Sequence, residues 1–197
     1  MPWDALLIGG HSTSGKSTVA QSIGKRLGIP VSQVDDHRIG LQRVTHPGQV
    51  EGIHFFLQPE AEIFKHSMEA LVERHVRIAT VMSQAMEAVI AHHVWVAQPI
   101  ILEGDGILPS LGMQNEMDGV AVAGRIRTVF LLSRSYGEFQ AVCRTRWPGV
   151  PGPHTEEWAK LAWHYGQWMR GECERHAVPI VESQPWNTLE ERVLELL

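Results

Sequence analysis

Short apolar runs alternate with amphipathic stretches along this chain. The run WDALLIGG, residues 3–10, is apolar and closes on two glycines, the pattern of a buried strand. The period then changes. From Lys16 to Leu27 the apolar residues Val19, Ile23 and Leu27 stand four apart on one helical face, and Gly28 and Pro30 stop the helix. IPVSQV, 29–34, predicts a second short strand that ends at Asp35 and Asp36. Residues 40–58 mix polarity with internal glycines and predict an irregular segment. Between Pro59 and Trp95 there is no Gly or Pro; that stretch predicts two helices or one long bent one.

The second half repeats the alternation. Pro99–Glu103 predicts a buried strand that ends in an acid, and the glycines at 106, 112, 119 and 124 predict a loop over 106–124. IRTVFLLS, 126–133, predicts a strand, and SYGEFQAVCRTRW, 135–147, a helix ended by PGVPGPH. A helix over Thr155–His176 and a strand in AVPIVES follow; Thr188 and Glu191 have capping-box spacing before a last helix. Five apolar strands separated by helices predict an α/β fold, a five-stranded parallel sheet with helices on both faces. In such a sheet ligands bind at the carboxyl ends of the strands. The chain places Gly10–Ser17, Asp35 and Asp36, Glu103–Asp105, and Ser133 with Arg134 there.

Composition narrows the class. The 197 residues, 44% hydrophobic and 20% charged, suit one domain whose core needs no disulfide or metal. A net charge of −5 argues against nucleic-acid or anionic-membrane partners. Cys143 and Cys173 form no CxxC, and no signal-peptide pattern or eighteen-residue apolar run occurs, so a cytoplasmic protein is expected. Eleven histidines offer no H-x-H, H-E-x-x-H or zinc-type spacing, which argues against a transition-metal site. Trp158, Tyr165, Trp168 and Met169 have the spacing of a buried helix face.

GHSTSGKS, Gly10–Ser17, fits G-x-x-x-x-G-K-[ST] between an apolar strand and an amphipathic helix. Glycines let backbone N–H groups close on phosphate oxygens, and the helix N-terminus adds its dipole. The nucleotide-holding set is Gly10, His11, Ser12, Thr13, Ser14, Gly15, Lys16, Ser17 and Thr18. Lys16 would meet the β- and γ-phosphates, and Ser17 would reach Mg²⁺.

On these residues the chain resembles the P-loop NTPase superfamily. It lacks an N-K-x-D guanine motif and an L-S-G-G-Q signature, and its length fits the small-molecule kinase branch. VDDHR resembles the D-x-F-[YH] of uridine kinase and phosphoribulokinase relatives; this implies Asp35 as catalytic base or metal-side carboxylate, while His37 and Arg38 depart from the aromatic. IILEGDGILP is similar to the E-G-x-H-x-x-P of archaeal 2-phosphoglycerate kinases, with the histidine unmatched. That likeness implies Glu103 on Mg²⁺ through water and Gly104 allowing close approach of substrate, with Asp105 beside them. Asp36 is a further metal-side candidate. Many such kinases place lid arginines where CRTRWPG stands, which implies Arg144 or Arg146.

The resemblance implies the three-layer P-loop fold over 1–197, with 40–97 as a helical substrate-binding insertion and 140–156 as a lid. It implies transfer of the γ-phosphoryl of ATP, with Mg²⁺, to a small-molecule acceptor, by a monomer or homodimer. Arg38 and Arg43 together suggest an anionic hydroxyl compound as acceptor. Other readings are a nucleoside or nucleotide kinase, an antibiotic O-phosphotransferase, and a regulatory module that binds nucleotide without turnover. Trp186, in the turn ESQPWN, would either stack on adenine or pack at the start of the last helix.

Overall fold

A computed structural model describes residues 3–50, 52–146 and 155–197, excluding the side chain of Arg146. Strands β1 (Ala5–Gly10), β2 (Val31–Gln33) and β3 (Ile100–Glu103) alternate with helices α1 (Lys16–Leu27), α2 (Val34–Val44), α3 (Glu60–Ile63) and α4 (Met68–Trp95). A hairpin, β4 (Glu116–Met117) and β5 (Val120–Ala121), precedes β6 (Ile126–Leu132). Helices α5 (Tyr136–Arg146) and α6 (Thr155–His176), strand β7 (Ile180–Glu182) and helix α7 (Leu189–Leu194) complete the order. The main sheet runs β2-β3-β1-β6-β7, and its pairings are parallel.

Each central strand feeds two cores, because successive side chains point to opposite faces. Ala5 and Leu7 of β1 join Phe130 and Leu132 of β6 in a core covered by α4 and α6. Leu6 and Ile8 join Val129 and Leu131 in a second core covered by α1 and α7. Near-continuous apolar strands follow from this two-sided burial.

Three expectations are corrected. Val34, expected to close the second strand, and residues 40–44, expected as irregular, belong to α2. Asp35 and Asp36 sit in its first turn and Arg43 in its last, the arrangement that complements a helix dipole. Gly40 lies against open space, so it carries only the modest propensity cost of glycine. Within 106–124, Asp118 and Gly119 both have positive φ, 46° and 77°, and turn the β4–β5 hairpin. An Asp-Gly pair is the sequence signal for such a turn. The capping box at Thr188 does not form: the Thr188 hydroxyl donates to the Pro185 carbonyl and accepts from Arg192 Nε.

No helix among the described residues is long and apolar enough to cross a membrane. Of the segment expected as a lid, α5 reaches Arg146, while 147–154 lies outside the described residues.

Candidate active site

The phosphate loop joins β1 to α1 at the carboxyl edge of the sheet. Gly10 has φ 138°, and a Cβ there would strike the Leu131 carbonyl oxygen on β6, so glycine is required on both counts. Gly15, at φ 89°, is the N-cap residue of α1, and a Cβ on it would come within 2.7 Å of the Trp186 ring. A glycine cap supplies no side chain of its own to satisfy the first-turn N–H groups, which suits a helix end meant for an anion. Trp186 packs on this loop from the turn after β7 and remains 44% exposed.

His11 anchors the loop from beneath. Its Nδ1–H donates to the Ser12 carbonyl at 2.6 Å, and its Nε2 accepts the Ser133 N–H at 2.8 Å. The ring meets Phe139 edge-on at 5.1 Å and lies against Gly166 of α6. Two bonds of opposite sense fix one neutral tautomer. Burial, joined by the charges of Lys16 and Arg170, pushes its pKa down to about 4. The side chain of His11 therefore ties the loop to β6 and α5.

Lys16 is buried, and its Nζ donates to the His11 carbonyl at 2.9 Å, arching back over the loop. Ser17, exposed at the start of α1, stands beside the Glu103 carboxylate at the end of β3, near enough to lower its pKa. Glu103 is only 3% exposed. Burial raises its pKa, opposed by the neighbouring Ser17 hydroxyl and the Lys16 charge. An ammonium, open helix N–H groups, a hydroxyl and a buried carboxylate form a donor set that fits a phosphate chain with a hard cation. Ser12 faces the neighbouring cavity, Thr13 and Ser14 are buried within the loop, and Thr18 is exposed on α1.

Beside the loop lies a cavity of about 360 Å³, lined by Ser12, Arg38, Phe56, His75, Asp105, Trp158 and Tyr165 among others. A smaller recess, shared by Arg38, His75, Asp105 and Tyr165, continues it to Asp35. Arg38 Nη2 donates to Asp35 at 2.7 Å, one helical turn away on α2. The Tyr165 hydroxyl donates to the Asp105 carbonyl at 2.9 Å. Asp35 and Asp105 lie near enough to Glu103 for their charges to raise its pKa.

The sequence candidates separate cleanly. Lys16, Ser17, Asp35, Arg38, Glu103 and Asp105 converge. Of the two acids opening α2, Asp35 faces the recess, and Asp36 is exposed and lines neither cavity. Arg43 is exposed near the end of α2, away from the cavity, so the paired-arginine argument for an anionic acceptor loses one member. A Cβ on Gly104 would come within 2.9 Å of Val34 Cβ, so its small size serves the fit of the end of β3 against α2. Arg144 is exposed on α5 and lines neither cavity; the side chain of Arg146 lies outside the described residues.

Four wall residues stand outside the candidate set. His75 occupies a position on α4 between buried Leu71 and Ile78, and a polar residue inside an apolar stripe was its available signal. Phe56 comes from a single 3₁₀ turn over Phe55–Leu57. Tyr165 is buried in the core as its spacing predicts, and Trp158 packs half-buried on a neighbouring cluster; both also line the cavity, and Trp158 donates from Nε1 to Glu60 at 2.8 Å. Met169 is buried as expected and Trp168 half-buried beside Tyr165. A second, open cavity of about 550 Å³ lies at the ends of β6 and β7 between Arg134, Glu138, Glu182, Gln184 and Pro185. Arg170, unremarked in the sequence, bridges this edge by donating to the Ser133 carbonyl and the Glu182 carboxylate, both at 3.2 Å.

Comparison with solved structures identifies the fold. A gluconokinase from Sinorhizobium meliloti 1021 matches with a TM-score of 0.55 at 17% identity, over 98% of this chain and 90% of that one. A sugar kinase from Janibacter sp. HTCC2649 matches at 0.54 and 12% identity, over 99% and 94%. A shikimate kinase from Aquifex aeolicus matches at 0.51 and 16%, over 97% and 94%. The chain thus has the P-loop kinase fold. No family model matches it, and no curated protein matches it in sequence.

Proposed function

We propose that the protein is an ATP-dependent kinase that phosphorylates a hydroxyl group of a small metabolite. The observation that carries this reading is the adjacency of two sites. Ser12 belongs to the phosphate loop and also lines the cavity that leads to Asp35. A γ-phosphoryl group held by Lys16 and the loop amides would stand at the mouth of a pocket with a carboxylate in its recess.

The chemistry follows from that placement. The acceptor oxygen forms a bond to the γ-phosphorus, the bond from phosphorus to the β-bridging oxygen breaks, and ADP departs with the electron pair. The acceptor proton passes to the Asp35 carboxylate, which the Arg38 bond keeps aimed. Lys16 would compensate the charge on the transferring oxygens. Ser17 and Glu103 would hold Mg²⁺, Glu103 through water, and the ion would neutralise phosphate charge. Adenine would lie in the open cavity at β6 and β7, beside Trp186, where Arg134 and Glu138 give polar edges. The similarity of the fold to sugar, gluconate and shikimate kinases supports the same reaction class. The placement of Asp35 after β2 supports the likeness to uridine kinase and phosphoribulokinase relatives drawn from VDDHR.

The test is ADP release, coupled to a reporter, across a panel of hydroxylated metabolites, comparing wild type with Asp35→Asn. An acceptor should stimulate release in wild type, and the variant should lose about 10²–10⁴-fold in kcat with little change in KM for ATP. Tight MgATP binding with no acceptor stimulation would refute the reading in favour of a binding module.

A further inference from the structure

The acceptor cavity has a charge and a wall chemistry of its own, and they restrict what it takes. Asp35 and Arg38 form an ion pair at 2.7 Å, so their formal charges cancel. The other charged group on the lining is Asp105, whose carboxylate forms no hydrogen bond or ion pair among the described residues. His75 adds no compensating charge at neutral pH, since burial pushes its pKa down to about 4. The cavity therefore carries one uncompensated negative charge.

Around it stand aromatic rings in mutual contact. Phe56 meets His75 at 4.4 Å and Trp158 at 5.8 Å, and His75 meets Tyr165 at 4.9 Å. Aromatic faces carry a negative quadrupole, which attracts cations and repels carboxylates. An anionic acceptor would enter a site of its own sign with no cation left to receive it. A neutral polyol would leave the Asp105 carboxylate uncompensated and bring few apolar atoms to the rings. A protonated amine satisfies both features, as counter-ion to Asp105 and as partner to the rings.

From this we infer that the phosphoryl acceptor is an amino alcohol: a compact, partly apolar compound carrying a hydroxyl and a protonated amine. The hydroxyl points to Asp35 and the loop, and the ammonium lies between Asp105 and the aromatic wall. The inference rests on the kinase reading above and adds its substrate class. Atom balance is that of the transfer already described, with the amine a bystander.

Three matched probes separate the alternatives. 2-Amino-1-phenylethanol, 1-phenyl-1,2-ethanediol and mandelate share a phenyl ring and a benzylic hydroxyl; they differ in bearing an ammonium, a neutral hydroxyl or a carboxylate. Ligand-induced shifts in Tm and coupled ADP release would be measured for each, with wild type and Asp105→Asn, and MgADP binding as a control on both proteins. The ammonium probe should bind at least tenfold more tightly than the other two, the range expected of a charge-assisted contact. Asp105→Asn should erase most of that preference while MgADP affinity stays unchanged. Preference for the diol or mandelate, or a preference for the amine untouched by Asp105→Asn, overturns the amino-alcohol assignment and leaves the kinase reading intact. No response to any probe, or to wider amine, polyol and hydroxy-acid panels, in a protein that binds MgADP overturns both.

Discussion

Replacing His11 with Phe isolates the anchor that holds the phosphate loop. Phe keeps a planar ring against Phe139 and Gly166, so little cavity opens; what is lost is polar. Ser133, 5% exposed, is left with an N–H that has lost its acceptor, a cost of about 1–3 kcal/mol. The bond to the Ser12 carbonyl adds about 1 kcal/mol. The expected loss at pH 7 is about 2–4 kcal/mol, read by urea denaturation, together with weaker MgATP binding by calorimetry. The loss should also depend on pH. His11 titrates near 4 when folded against 6.5 in the unfolded chain, so between those values the unfolded state takes up a proton that the folded state refuses. Wild type then loses stability as pH falls from 6.5 to 4, by about 3 kcal/mol for this residue at 1.36 kcal/mol per pKa unit. The Phe variant escapes that loss. The gap between the two proteins should close toward zero by pH 4, and taking the difference removes the parallel contribution of His75. A gap below about 0.5 kcal/mol at pH 7, or one constant from pH 7 to 4, would refute the anchoring argument.

Two further substitutions probe the same frame. Gly166→Ala would place a Cβ 2.8 Å from His11 Cδ2; overpacking of about 1–3 kcal/mol should exceed the roughly 1 kcal/mol gained in helix propensity, and a variant more stable in urea would contradict the fit. Glu103→Gln removes a buried carboxylate whose pKa is raised; the folded state pays for that ionisation above the ordinary carboxylate range, so the variant should have a higher Tm at pH 7. Its turnover should fall and its Mg²⁺ requirement rise; a lower Tm with unaltered Mg²⁺ dependence would count against the assignment.

The sheet and its loop were legible because their signals are local. Apolar runs delivered five strands, and one ungapped motif with a strand before and a helix after marked the candidate phosphate loop. Helix α2 was not legible: Gly40 and the polar run DDHR hide an element whose support is tertiary, with Val34 buried in the core and Leu41 packed on it. The proposed acceptor site was half legible. Asp35, Arg38 and Asp105 follow strand ends and could be named from position, whereas the aromatic wall is assembled from a 3₁₀ turn, α4 and α6, whose meeting depends on how the helices pack. Trp158 shows the difficulty directly, since a helix stripe facing a cavity has the same spacing as one facing a core. Whether Arg144 or Arg146 serves as expected was beyond what spacing could decide, and Arg170, which does reach the sheet edge, sat unmarked among the charges of α6.

The central claim, that Gly10–Ser17 holds a nucleotide for transfer, is tested most directly by calorimetric titration of MgATP into wild type and Lys16→Ala. Lys16 is drawn onto the His11 carbonyl at 2.9 Å and opens α1, so its ammonium is positioned at the loop itself. The account predicts one MgATP per chain for wild type and an affinity at least about 10²-fold weaker for the variant, the size expected when a charge-assisted phosphate contact of about 3 kcal/mol is removed. Equal affinity in the two proteins would contradict it.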